Sequence, residues 1–378
     1  MRRTIKWILA TVMLAAAVEA SVVGGCELWA RRWEQRWVDF KAHWEAQGEA
    51  FDMAAQLPPA VDDAENFAKH PWVAAVAAGK PAVLERLGRM NPDEIPGYTD
   101  WLYTEKLTPM PEGLARRVAA HCEPFAADFA ALAEAADRPH CRVELEFDGG
   151  FHIPAMWLSK FSPCGKVIAA HAAAALAVGD EDTFTNQLVL LLNIGRHLRS
   201  TNILLGVVVG CGIEHAAYEQ ITALAPEGLK KNGNRARLVE AIDGRSRSLG
   251  EEMAKVFRFE RAMALDMLAQ IEAGAAAFPS AGYFSFSAQR RVILARNRLA
   301  LCEDSQDELL APGGRLTTVV TLDAMTRYDE LTRRRFKKPS ALEAIAAGQR
   351  LAITGIAASL WRGEEDRQPA RAALQEWK

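Results

Sequence analysis

Two His-Cys dipeptides, His121-Cys122 and His140-Cys141, are the residues of this chain that first ask for chemistry, with His152 and Cys164 following. Imidazole and thiolate are zinc ligands, and four of them close a tetrahedral site, so one reading is a metal-dependent hydrolase built on His121, Cys122, His140 and Cys141. The spacing argues against it. Adjacent ligands on a helix point ~100° apart, and zinc signatures set their paired ligands roughly two to four residues apart. The competing expectation puts Cys122 in a core and His140 in a turn, with no cofactor. A disulfide is a separate option for an exported chain, and the sequence leaves its pairing open.

Other reactive-looking residues carry less. Glu214 and His215 are an acid beside a histidine. Adjacent helix positions diverge, however, and neither a G-x-S-x-G, a Walker loop nor an H-E-x-x-H accompanies them. The run RRRFKK places Arg333, Arg334, Arg335, Lys337 and Lys338 together, as a site for phosphate groups or as the basic end of a helix complementing its dipole. Gly206 and Gly210 in ILLGVVVGCGI have the spacing of a close helix-helix approach, in a segment too short to span a bilayer.

The residues best suited to a physical task are aromatic. On a helix, Trp29, Trp33, Trp37, Phe40 and Trp44 fall within an arc of ~80°. Around them Glu27, Glu34, Asp39 and Glu45 balance Arg31, Arg32, Arg36 and Lys41. A helix lying on an anionic bilayer has a basic polar face, so this balance argues against electrostatic surface binding. The expectation divides the stripe. Trp29 and Trp33 sit at membrane headgroup level, and Trp37, Phe40 and Trp44 pack the anchor onto the body.

What precedes the stripe gives that division its meaning. Arg2, Arg3 and Lys6 lead into an apolar run, Trp7 to Cys26, interrupted by Glu19. This is the layout of an export signal or signal anchor, and the run is about the 20 residues a membrane-spanning helix needs. Three outcomes stay open: a retained single-pass anchor with the body on the periplasmic side, cleavage after Ala20, or a lipoprotein lipidated at Cys26 within VVGGC.

The elements that must position these residues read as helices. The chain has 378 residues, 50% of them hydrophobic, and a formal net charge of -3, which excludes a disordered chain and a generally basic nucleic-acid surface. Its 6 cysteines are too few for a disulfide scaffold in a chain of this size. The expected fold is all-α: an N-terminal signal-anchor helix, an irregular proline-rich segment, then an antiparallel helical-hairpin array or bundle. The expected divisions are a signal anchor or signal peptide at 1–26, a Trp-striped juxtamembrane helix at 27–52, the irregular segment at 53–110, a helical body at 111–310 and C-terminal helices at 311–378. Within the body, helices are expected at about 155–178, 182–199, 202–224, 234–249, 251–273 and 286–303, with another at 317–337. RVELEF is the strand candidate and SALE at Ser340–Glu343 is a capping box.

The order GEAFDMAAQLPPAVDDAENFAKHP, EAADRPHCRVELEFDGGF, AVGDEDTF and LLLNIGRHLRSTNILLGVVVGCGIEHAAYEQI resembles a family of uncharacterised, membrane-anchored, all-helical bacterial proteins. The resemblance covers about residues 7–275 and implies an anchor, a Trp/Arg-rich helix, a PP…ENF segment and a helical body, with no activity to carry over. The tail RLAITGIAASLWRGEEDRQPARAALQEWK departs from the tyrosine- and proline-rich end of that family. The functional expectation is a membrane-tethered binding or scaffold protein of the bacterial cell envelope, with the membrane and a protein as partners and no nucleic acid; the alternative is an envelope metal-dependent hydrolase.

Overall fold

The computed structural model describes residues 2–103, 107–144, 154–244, 248–273, 287–312, 315–317, 319–335 and 367–375. At 2–12, 15, 16, 154, 155, 287–290, 304, 322, 329, 332, 333 and 335 it describes the backbone alone. The fold is all-helical, and no strand occurs among the described residues. In chain order the helices are α1 (Arg2–Glu45), α2 (Met53–Gln56), α3 (Pro71–Ala77), α4 (Pro81–Arg89), α5 (Tyr98–Leu102), α6 (Glu112–Cys122), α7 (Ala126–Ala136) and α8 (Phe161–Ala177). They continue as α9 (Glu181–Arg199), α10 (Leu204–Gly228), α11 (Asn232–Asp243), α12 (Leu249–Ala273), α13 (Ser287–Ser305), α14 (Leu322–Arg335) and α15 (Arg367–Gln375).

The chain divides into two compact units. One comprises Met1–Gln56, Asp148–Phe151 and Phe257–Gly355; the other comprises Leu57–Phe147, His152–Val256 and Ile356–Lys378. The division falls within 111–310, the stretch expected as a single body, and inside α12.

In the first unit α1 lies along α13, and a π-helical turn, Gln306–Leu310, continues α13. In the second, α8, α9 and α10 pack on one another, with α6 against α8 and α11 against α9. The α8–α9 connection is sharp because Gly179, at φ +84°, allows its own N–H and that of Asp180 to return to the carbonyls of Leu176 (3.0 Å) and Ala175 (2.9 Å). Asp180 then accepts from the Thr183 N–H at 3.0 Å and caps α9.

α9 and α10 approach closely at two glycines. A Cβ on Gly210 would lie 2.6 Å from the Gly195 carbonyl oxygen, and a Cβ on Gly195 would lie 2.5 Å from the Glu214 side chain. The spacing of Gly206 and Gly210 thus marks a helix contact inside the second unit.

Two expectations change. The segment 53–110 is a series of short helices, because its prolines open elements instead of breaking them: Pro71 and Pro81 begin α3 and α4, and Pro92 begins a 3₁₀ turn. Proline is suited to the first helical turn, where its missing N–H would have no intrahelical acceptor. Arg142–Glu144 of RVELEF run without strand pairing among the described residues, and an isolated bridge joins Asn66 and His140 nearby. The Asn66 side chain supplies what a second strand would have, accepting from the Arg142 N–H and donating to the Arg142 carbonyl, both at 2.9 Å. The remainder of RVELEF, His152 and Ser340–Glu343 lie outside the described residues.

Candidate functional site

α1 is one unbroken helix of 44 residues, so the expected boundary between anchor and striped helix at Cys26 interrupts nothing. Its described side chains from Met13 to Gly25, among them Leu14, Val18, Glu19, Val22 and Val23, are exposed on all faces. From Cys26 onward protein covers one face: Cys26 is half-buried, Ala30 fully buried, Trp33, Trp37 and Phe40 half-buried and Trp44 buried. Trp29 stays 61% exposed although it shares their arc. Among the described residues no helix is long and apolar enough to cross a membrane. The side chains of residues 2–12, 15 and 16 lie outside that description.

The covered face rests on α13. Arg291 donates to Glu27 at 2.7 Å and to Glu34 at 2.9 Å, and Arg36 pairs with Glu303 at 3.1 Å. Contact order rises along both helices together, so they run parallel. Trp33 lies between two cations, with the guanidinium of Arg36 4.5 Å and that of Arg296 5.5 Å from its ring centroid. The even charge balance of the stripe therefore has a structural use, since Glu27 and Glu34 both serve Arg291.

Beyond Trp33 the stripe becomes core. Trp37, Phe40 and Trp44 gather with Phe51, Leu265, Leu268, Ile271, Leu294, Leu301 and Cys302. Phe51 meets Trp37 edge-on at 5.7 Å and lies 6.0 Å from Phe40. It returns to the helix it has just left because Gly48, at φ +93°, reverses the chain. Glu49, buried beside it, accepts from Arg258 at 2.9 Å and from Arg261 at 2.6 Å, and Arg261 stacks over Phe51 at 4.2 Å. Arg261 also donates to the Gln306 side chain in the π-helical turn, at 2.5 Å. The lower end of α1 is fixed by both apolar contact and paired charge.

The remaining candidates do not assemble. No grouping of His, Cys, Asp and Glu that could hold a metal occurs among the described residues. His121 meets Phe125 edge-on at 5.8 Å and His140 bridges to Asn66, while Cys122 and Cys141 are buried. Burial pushes both thiols up to about 12, so both are protonated thiols. Arg334 is exposed and pairs with Glu330 at 3.3 Å on its own helix. The side chains of Arg333 and Arg335, together with Lys337 and Lys338, lie outside the described residues.

Glu214 and His215 separate as adjacent helix positions must. His215 faces Glu219 at 3.4 Å on the surface, and Glu214 is buried against Arg199 at 2.5 Å. Arg199 also meets Glu252 at 2.6 Å, so one buried guanidinium binds two buried carboxylates. Burial opposes its charge, but Glu214, Cys211 and Glu252 outweigh burial and hold it protonated. This triad was not expected from the sequence. Its signal there was an arginine and a glutamate placed where the helical pattern wants apolar residues. Arg199 pairs with both carboxylates and so pins α9, α10 and α12 to one another. Comparison with known proteins finds no matching family model, no matching curated protein and no matching solved structure, so the functional reading rests on the residues and geometry of this chain.

Proposed function

We propose that the chain is a membrane-tethered helical binding or scaffold protein of the bacterial cell envelope, anchored by the upper part of α1 and presenting its helical hairpins on the periplasmic side. One observation carries this reading: a single helix whose lower half is built into protein while its described side chains from Met13 to Gly25 are uncovered all round. A protein partner covers a stripe of a helix, whereas a bilayer covers its whole circumference. On the insertion scale Ile8, Leu9, Val12, Leu14, Val18, Val22 and Val23 together favour the membrane by about 2–4 kcal/mol, and a carboxylate near the centre costs ~3 kcal/mol. Insertion is thus finely balanced against Glu19. Trp29 lies where the uncovered part ends, a position suited to the headgroup layer. The resemblance to membrane-anchored helical proteins agrees with this assignment.

The test is membrane fractionation combined with intact-mass measurement. A membrane-bound protein whose mass begins at Met1 supports the single-pass anchor, and a lipidated Cys26 supports a tether of the lipoprotein kind. A mature start at Ser21 without membrane retention overturns the tether altogether.

A further inference from the structure

We infer that α15, the helix Arg367–Gln375, is a separable latch that closes an apolar face of the second unit and opens from it while α8, α9 and α10 stay folded. At 9 residues it is shorter than the ~12–15 that an isolated helix needs to persist in water, so its helicity depends on its dock. That dock is α10 and α11. α10 carries buried apolar residues such as Val207, Ile213, Tyr218, Ile221 and Leu224 on more than one face, and a helix apolar all round must be covered on every side. α8 and α9 cover it with long helices, and α15 closes a further side with a single short one.

Few side chains secure it, apolar and polar in equal number. Two side chains one turn apart, Ala370 and Leu374, are buried. Arg367 donates to the Ile242 carbonyl at 3.0 Å, and Arg371 to Asp243 at 2.9 Å. Both acceptors lie at the C-terminal end of α11, where the helix dipole is negative and a cation is favoured. The Arg371–Asp243 pair is 41% exposed on each side and therefore open to salt screening. Among the described residues the buried Nε–H of Arg371 has no acceptor, a further cost that is relieved on opening. The surface beneath is thus fitted to a basic amphipathic helix with arginine, alanine, arginine and leucine at the spacing of Arg367, Ala370, Arg371 and Leu374, and α15 is its intrachain occupant.

Hydrogen exchange on the full chain tests this. Local opening predicts that amides of 367–375 exchange at least ~100-fold faster than those of α9 and α10, and faster still at ~1 M salt. Leu374→Asp should remove the remaining α15 protection and raise binding of an apolar dye, with α9 unchanged. If α15 exchanges as slowly as α9, or if Leu374→Asp accelerates α9, α10 and α15 together, the helix belongs to the cooperative core and the latch is refuted.

Discussion

Arg199 shows how much of this protein depends on single buried groups. Its partners Glu214 and Glu252 are, like it, nearly inaccessible, so each charge is tolerable only because of the others. Removing the cation takes from two buried carboxylates the guanidinium they share, and Arg199→Met should cost about 3–5 kcal/mol in urea unfolding. Converting all three residues to apolar ones of similar size should recover most of that loss. A triple variant as unstable as the single one would show that the triad contributes more than charge compensation. The glycines beside it act through space instead of charge. At Gly210 the added Cβ would meet backbone, the Gly195 carbonyl at 2.6 Å, which cannot swing away. Gly210→Ala should therefore lower stability by about 1–3 kcal/mol, measured by the same unfolding curves, whereas Gly212→Ala, with open space around it, should not. Gly206 and Gly210 were readable as a close approach because their spacing lies on one helix. Gly195 was not, since its partner is set by how α9 and α10 cross.

At the scale of elements, α1 is one helix in two environments. Trp44→Ala empties a core position and should destabilise the first unit by about 3–5 kcal/mol. Under the anchoring proposal it should not release the protein from the membrane, and release would sink the view that Trp44 serves the body alone. Glu19→Leu should have the opposite character, raising the membrane-retained fraction while leaving the unfolding midpoint unchanged, because Glu19 is exposed. The helices themselves were legible where caps and periodicity agree. Asp180, expected in a turn, caps α9, and α9 begins and ends within a residue of its expected span of 182–199. In the proline-rich segment, expected as irregular around a short helix near 72–90, proline was taken as a breaker although it also starts helices, at Pro71 and Pro81. At RVELEF the described part, Arg142–Glu144, has no strand pairing among the described residues, and the Asn66 side chain takes its hydrogen bonds.

At the scale of the whole molecule the contacts that define the units are remote in sequence, which is why periodicity could not divide the chain. Arg261 reaches Glu49 across 212 residues, and no local pattern encodes that pairing. Acid sensitivity has a separate source, in buried histidines of the second unit. His70, His171 and His197 all belong to the second unit, and burial lowers the pKa of each. Arg138 adds to the effect at His70 while Glu134 opposes it, and Asp180 opposes it at His171. His197 is the extreme case. It stacks on Phe67 at 4.7 Å and bonds to the Ala136 carbonyl at 3.0 Å, and burial, with Arg196 and His140 adding to it, brings it to about 4. An unfolded chain takes up its proton near 6.5, so between about 6.5 and 4 the unfolded state binds a proton that the folded state refuses. Stability is therefore fully present above that window and is lost as pH falls through it, by about 3 kcal/mol for His197 alone at ~1.4 kcal/mol per pH unit. Amide exchange across α9 should accelerate steeply between pH 6.5 and 4.5 once corrected for the intrinsic rate, and His197→Phe, which keeps the stack without a titrating nitrogen, should flatten that rise. An equally steep rise in the variant would move the acid sensitivity to His70 and His171, where opposing carboxylates hold it smaller.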